Sequence, residues 1–171
     1  GGIENNQTTQ YISFNGMMDE IRISNVARNP GEFCLLNSCN EDNNTIGLWH
    51  FDEGSGSFTN DSSSNGNNGT LVGSTWVNPP EWVGVTPSLE GSTHSLDLSG
   101  SKISINDNPS LDLGSSLTLE SWIFFEPEGA TGRFPIIGKW DHRFGSNERS
   151  YVLYVENNQS GSSLNLKLNI D

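Results

Sequence analysis

Oxygen-bearing side chains cluster in one stretch of the chain, where they could bind a metal ion. Asp52 directly follows the predicted strand 46–51, and a loop rich in glycine and asparagine follows at 65–69. Calcium takes about six to eight oxygen ligands from carboxylates, amide or backbone carbonyls and water. This segment therefore predicts a calcium site that includes Asp52, Asn65 and Asn68. The alternative is an ordinary polar turn in which Asp52 accepts hydrogen bonds from backbone N–H groups.

A second candidate site is the run Lys139-Trp140-Asp141-His142-Arg143, which gathers polar groups around one aromatic ring. A solvent-facing ring can stack on the apolar face of a sugar. We therefore expect Trp140 and His142 to contact a glycan, with simple packing of the loop as the alternative. Trp49 and Trp122 fall within strand patterns and are predicted to be core residues.

The motifs of common hydrolases do not occur in the chain. It has no Gly-x-Ser-x-Gly and no His-Glu-x-x-His sequence, and its three histidines are scattered. No pattern brings two carboxyl groups onto one glycosidic bond, as a glycosidase requires. We therefore predict that this chain is not an enzyme.

Cys34 and Cys39 are the only cysteines. Their spacing is not Cys-x-x-Cys, and two thiols are too few for a structural zinc site. We expect a local disulfide between them, with two free thiols as the alternative. A disulfide, an acidic chain and many asparagine-rich loops together favour an extracellular, secreted or cell-surface protein.

Composition restricts the fold class and the partners. The chain has 171 residues with 8 basic and 21 acidic side chains, a net charge of −13, which argues against a nucleic-acid partner. No apolar run approaches the ~20 residues of a membrane-spanning helix. With 21 Asn, 24 Ser and only two Ala, the chain favours short strands joined by turns over helices.

The predicted strands follow one another at short intervals with glycine, asparagine or proline turns between them, a spacing typical of an all-β antiparallel sandwich. We expect 95–98 and 102–105 to form a hairpin, and a short helical turn near 31–36. The other predicted strands are 46–51, 70–72, 75–77, 117–125, 135–139, 151–155 and 164–168.

The segment 17–24 also alternates like a strand with one buried face. Met17, Asp19, Ile21 and Ile23 fall on one side of it. Asp19 then lies on the mainly apolar side, and a carboxylate there needs a partner.

Several motifs follow one another in a recognisable order. They are Gly47-Leu48-Trp49-His50-Phe51-Asp52-Glu53-Gly54-Ser55-Gly56, residues 61–71, 95–98, 103–105, 109–113 and Leu117-Thr118-Leu119-Glu120-Ser121-Trp122-Ile123. Together they resemble the opening half of the laminin-G-like, concanavalin A-like jelly-roll modules of secreted and surface proteins. In contrast, Phe14-Asn15-Gly16-Met17-Met18-Asp19-Glu20-Ile21-Arg22-Ile23-Ser24-Asn25-Val26-Ala27-Arg28 resembles the closing strand of the family, although it comes first here.

This order divides the chain into three parts. Residues 1–24 resemble closing strands, 25–45 form a linker with the expected disulfide, and 46–171 resemble the opening strands of a module that is incomplete or completed by strand exchange. Three explanations are open: a window cut from a tandem array, a rearranged module, or strands exchanged between copies.

The resemblance implies that the opening and closing strands lie side by side and that a calcium ion can bind there. Asp19 would then join Asp52, Asn65 and Asn68 as a ligand. It also implies a non-catalytic lectin-like module for adhesion or glycan recognition, with a glycan or surface protein as partner. The alternatives are a structural repeat joined to neighbouring copies by strand complementation, and an accessory module of a secreted glycoside hydrolase.

Overall fold

The computed structural model describes residues 13–34, 39–79, 92–114, 116–126, 129–139, 151–157 and 164–170. These residues form antiparallel strands and two short 3-10 turns, Pro30–Glu32 and Pro109–Leu111. The predicted all-β class is therefore confirmed. The strands are β1 (Gly16–Ser24), β2 (Thr45–Trp49), β3 (Phe58–Thr59), β4 (Gly69–Val72), β5 (Thr75–Val77), β6 (Ser95–Asp97), β7 (Lys102–Ile105), β8 (Thr118–Phe125), β9 (Gly132–Lys139), β10 (Tyr151–Asn157) and β11 (Leu164–Ile170).

The strands form three sheets. The first sheet has the order β2-β1-β6-β5, and β8 pairs with β1 on its other edge. The second sheet has the order β3-β4-β7, and the third has the order β9-β10-β11. All three sheets contribute side chains to the apolar core or pack against it. The buried members include Met18, Ile21, Trp49, Phe51, Leu96, Phe134, Tyr151, Leu153 and Val155.

Strand β1 is the centre of the first sheet. One of its edges pairs with β8 from Gly16 to Ser24. The other edge is shared, because β6 pairs with Met17 and Met18 whereas β2 pairs with the segment 21–24. The strand that resembles the family's closing strand therefore lies beside β2, as predicted, and it does so within one chain.

A bulge interrupts the predicted alternation of β1. The register with β8 shifts between Asp19 and Arg22, and Glu20 has a φ of +49°. The extra residue of a bulge turns the side chains that follow it to the other face. As a result Met18, and not Met17, joins Ile21 and Ile23 in the core, which corrects the assignment made from strict alternation.

The expected hairpin between 95–98 and 102–105 is wrong. Strand β6 pairs with β1 and β5, whereas β7 pairs with β4 in the second sheet. Both edges of β6 are thus occupied, and the turn closed by Ser101 N–H to Leu98 O leads the chain from one sheet to the other. The helical turn expected near 31–36 is the shorter 3-10 turn Pro30–Glu32.

Candidate functional site

Asp19 lies where β2 and β6 share the edge of β1, and its side chain is buried. Its Oδ2 accepts hydrogen bonds from Ser92 Oγ at 2.7 Å and Ser95 Oγ at 3.0 Å, while Oδ1 accepts one from the backbone N–H of Glu20. Burial raises the pKa of Asp19 to about 7, although the serine hydrogen bonds act in the opposite direction. Asp19 therefore carries a proton in a large share of the molecules near neutral pH.

The hydroxyl of Ser92 can hydrogen-bond Asp19 in either protonation state. Ser92 Oγ lies within hydrogen-bond distance of both Asp19 Oδ2, at 2.7 Å, and the backbone oxygen of His94, at 2.9 Å. A hydroxyl has one proton to donate but can also accept. When Asp19 is protonated it donates to Ser92, and Ser92 then donates to the carbonyl of His94, so both contacts are satisfied.

The next residue, Glu20, pairs with a histidine that follows β2. The two Glu20 carboxylate oxygens lie 2.8 and 3.0 Å from His50 Nδ1. The hydrogen bond that Glu20 accepts from the His50 ring is the largest influence on His50 and raises its pKa above the ordinary 6.5. The positive φ of Glu20 belongs to the same bulge that breaks the alternation of β1.

Asp52 also accepts hydrogen bonds from the segment 92–95 that Asp19 contacts. Its Oδ1 accepts hydrogen bonds from the Thr93 backbone N–H at 2.7 Å and from Thr93 Oγ1 at 3.0 Å. A longer contact joins it to the His94 N–H at 3.4 Å. The chain reaches Asp52 through Phe51, whose φ is +60° and whose ring is buried in the core. Asp19 and Asp52 therefore both bind the segment 92–95.

The other two predicted calcium ligands contact a different part of the molecule. Asn65 Nδ2 donates to the carbonyl oxygen of Ile46 at 3.1 Å, and Asn68 Oδ1 accepts from the N–H of Asp61 at 2.9 Å. Ile46 is near the start of β2, whereas Asp19 and Asp52 lie beyond its end. Of the four predicted ligands, Asp19 and Asp52 alone contact the same segment, residues 92–95. Within the described ranges, no group of three or more His, Cys, Asp or Glu side chains is arranged to hold a metal ion.

Asp61 organises the asparagine-rich loop and was not singled out from the sequence. Its Oδ1 accepts from the N–H groups of Leu48 and Ser63, and its Oδ2 accepts from Ser63 Oγ and the N–H of Asn67. The motif Asp61-Ser62-Ser63 could have indicated it, because aspartate often accepts from the N–H two residues later in a turn. The carboxylate joins this loop to the outer edge of β2.

The same loop covers the edge of β2 that faces away from β1. The Ile46 carbonyl accepts from Ser63 and Asn67 side chains as well as from Asn65, and the Leu48 carbonyl accepts from Ser62 N–H. An uncovered strand edge offers unpaired backbone groups to other chains. The loop therefore occupies the place of a further strand beside β2, which is a structural role for the segment predicted to bind calcium.

Cys34 and Cys39 form the predicted disulfide, with their Cα atoms 4.8 Å apart. Cys34 is also attached to β8, because its N–H donates to Glu120 Oε1 and its carbonyl accepts from Trp122 Nε1. Glu120 in turn forms a 2.6 Å ion pair with Arg22 of β1.

The two tryptophans predicted to be core residues differ in their positions. Trp122 is a half-buried ring beside the disulfide, and its assignment to the core is wrong. Trp49, 2% exposed, is in the core as predicted.

Trp140 and His142, the predicted glycan contacts, lie outside the described residues. Their role stays a prediction from the sequence. The neighbouring Lys139 is described, and its ammonium group pairs with Asp107 and Asp112.

Comparisons with protein-family models, curated proteins and solved structures find no significant match to this chain. Among the described residues, no helix has the length and apolar character needed to cross a membrane.

Proposed function

We propose that this chain is a non-catalytic extracellular module for adhesion or glycan recognition, built as a laminin-G-like, concanavalin A-like jelly roll. The observation that carries the proposal is the position of β1 between β2 and β8. These are the segments whose motifs resemble the closing and opening strands of that family. The resemblance implies that they are neighbours in one sheet, although about 20 residues separate β1 from β2 in the chain.

An extracellular setting fits the covalent and ionic chemistry of the chain. The Cys34–Cys39 disulfide would persist in an oxidising compartment, and the net charge of −13 favours solubility outside the cell. The disulfide closes a loop within the 25–45 segment, and the backbone of Cys34 attaches that loop to β8, which suits a module exposed to proteases.

Calcium is part of the proposal, with Asp19 and Asp52 as its carboxylate ligands. Both side chains contact residues 92–95, a segment that could add backbone and hydroxyl oxygens. Such a site has only two carboxylates, so it relies on the neutral oxygens that calcium also accepts. Asn65 and Asn68 could join it only by giving up their present contacts near β2.

The proposed recognition is tested by binding of the purified chain to a glycan array with calcium and with EDTA. We expect binding to a restricted set of glycans that weakens when calcium is removed. Trp140→Ala and His142→Ala should lower that binding, whereas Phe58→Ala should leave it unchanged, because Phe58 is an exposed ring on β3 outside the 139–143 run.

Absence of binding to every glycan and to extracellular-matrix proteins would argue for the alternative, a structural repeat. Equal binding by the Trp140 and Phe58 variants would reject the proposed location but not the proposed function. Hydrolysis of a bound glycan would reject the non-catalytic assignment.

A further inference from the structure

The core-facing side of the third sheet changes abruptly from buried to exposed. Strand β10 contributes Tyr151, Leu153 and Val155 to the core, and each is less than 10% exposed. Their direct neighbours on β11 are Ile170, Leu168 and Leu166, which are 56%, 46% and 65% exposed. Opposed residues of antiparallel strands point to the same face. The apolar face of the third sheet is therefore buried on β10 but exposed to solvent on the neighbouring strand β11.

The same strand has an available edge. Within the described residues β11 pairs with β10 alone, so it is the last strand of the third sheet on that side. Its seven residues carry three exposed apolar side chains on one face and a single charge, Lys167. A flat, apolar edge of this length is a template for pairing with another strand.

The sequence of β11 is almost the same in both directions. It reads Leu-Asn-Leu-Lys-Leu-Asn-Ile, so reversing it about Lys167 exchanges only leucine for isoleucine. A two-fold symmetric contact requires a surface that complements itself. Two antiparallel copies of β11 meet this requirement, because apolar residues oppose apolar residues on one face and polar residues oppose polar residues on the other.

Charge also favours contact at this sheet. Two copies that each carry a net charge of −13 repel one another over most of their surface. The strands of the third sheet carry three basic residues and one acidic residue, namely Arg133, Lys139, Lys167 and Glu156. Lys139 is neutralised by Asp107 and Asp112 and Arg133 by Glu156, so this sheet adds little net negative charge to the contact.

We propose that two copies of this chain associate by antiparallel pairing of their β11 strands, which joins their third sheets into one six-stranded sheet. Like charges placed opposite each other destabilise a strand pair, so the register centred on Lys167 is disfavoured. A shift of two residues keeps the faces matched. It places Leu168 opposite Leu168 of the second copy, Leu166 opposite Ile170, and Lys167 opposite Asn169. This inference does not depend on the proposed glycan or calcium binding.

The test is sedimentation-equilibrium analysis of the full 171-residue chain over a range of concentrations. We expect a reversible monomer–dimer equilibrium that shifts toward the dimer as sodium chloride is raised, because salt screens the repulsion between the acidic copies. Leu168→Glu should lower the association constant at least about tenfold, since it places two carboxylates opposite each other.

Val72→Glu is the matched control, because Val72 is also 46% exposed but lies on β4 in the second sheet. It should leave the association constant unchanged. Circular dichroism of both variants checks that each is folded, as expected for changes at exposed positions. A chain that stays monomeric at all concentrations, or a dimer that Leu168→Glu does not weaken, would overturn the proposal.

Discussion

Ser95 Oγ lies 3.0 Å from Asp19 Oδ2, and this contact joins the start of β6 to the middle of β1 at the point where β2 gives way to β6. Asp19 therefore lies between the part of β1 that pairs with β6 and the part that pairs with β2. The cost of burying it appears in its pKa of about 7. A change in pH should therefore act on the first sheet through this residue.

Replacing Asp19 with Asn should flatten the pH dependence of stability between about pH 4 and pH 7. The folded state binds the Asp19 proton more tightly than the unfolded state does. The stability that this proton contributes is therefore fully present below the unfolded pKa of 3.8 and is lost as the pH rises through about 7. The difference between these pKa values corresponds to about 4 kcal/mol. Urea unfolding at pH 4.5 and 7.5 measures it. Asp97→Asn, the same chemical change on β6, serves as control, and parallel curves for wild type and Asp19→Asn would contradict the expectation.

Replacing Glu20 with Gln should lower the pKa of His50 toward its ordinary value. The Glu20 hydrogen bond is the main cause of the raised value, and Gln removes its negative charge while keeping its size. Because the pKa of His50 is raised on folding, the associated stability is present below about pH 6.5 and is lost at higher pH. Titration of the histidine ring protons by NMR measures the change, and His94 is the internal control. An unmoved His50 titration would show that the pair in the structure does not form in solution.

Calcium should raise the melting temperature if the proposed site exists. Binding only to the folded state stabilises by about 2.7 kcal/mol at a hundredfold excess over Kd. Asp52→Asn should reduce this gain strongly, because Asp52 is an exposed proposed ligand whose replacement disturbs the core little. Asp42→Asn is the control, since Asp42 pairs with Arg28 away from residues 92–95. Equal melting curves in millimolar calcium and in EDTA would remove calcium from the proposal.

Replacing Asp61 with Ala should destabilise the chain by about 3 kcal/mol. The change leaves three backbone N–H donors around the edge of β2 without their acceptor, while Ser63 Oγ keeps the Ile46 carbonyl; hydrogen bonds to charged groups contribute about 1.5–3 kcal/mol each, with partial replacement by water. Urea unfolding gives the loss, with Glu41→Ala at an exposed position as reference. A loss no larger than that of the reference would show that water satisfies these donors equally well.

Removing the disulfide with Cys34→Ser and Cys39→Ser should cost about 2 kcal/mol, the chain-entropy value for so short a loop. The effect is modest because Cys34 keeps its backbone bonds to Glu120 and Trp122. Comparison of urea midpoints with and without reducing agent measures the cost. Reductant should have no effect on the double variant, and sensitivity there would point to a cause other than Cys34–Cys39.

The fold class could be predicted because it depends on local signals. The close spacing of short strands with glycine, asparagine or proline turns between them predicted β8 and β10, and the short cysteine spacing predicted the disulfide. The pairing of β1 with β2 also followed from the sequence, through the resemblance of each segment to a known strand.

The details that failed depend on contacts between distant residues. The bulge at Glu20 could not be placed from the sequence, because the contacts made there, Asp19 with Ser92 and Glu20 with His50, involve residues far along the chain. The 95–105 hairpin failed because β1 and β5 compete for the edges of β6. The predicted calcium ligands have not been tested; Asp52, Asn65 and Asn68 were grouped by their closeness in the sequence and Asp19 by the family resemblance, and in the structure Asn65 donates to the Ile46 carbonyl.

The central place of β1 has a consequence for synthesis of the chain on the ribosome. Among the described strands β1 is made first, yet its longest partner, β8, begins about 100 residues later. At ~5–20 residues per second, roughly 5–20 s pass before β8 has been made. During this time one edge of β1 and the apolar side chains of Met18, Ile21 and Ile23 lack their final neighbours. The nascent chain therefore exposes an unpaired apolar strand to chaperones and to other nascent chains, and the first sheet closes only after β8 has been made.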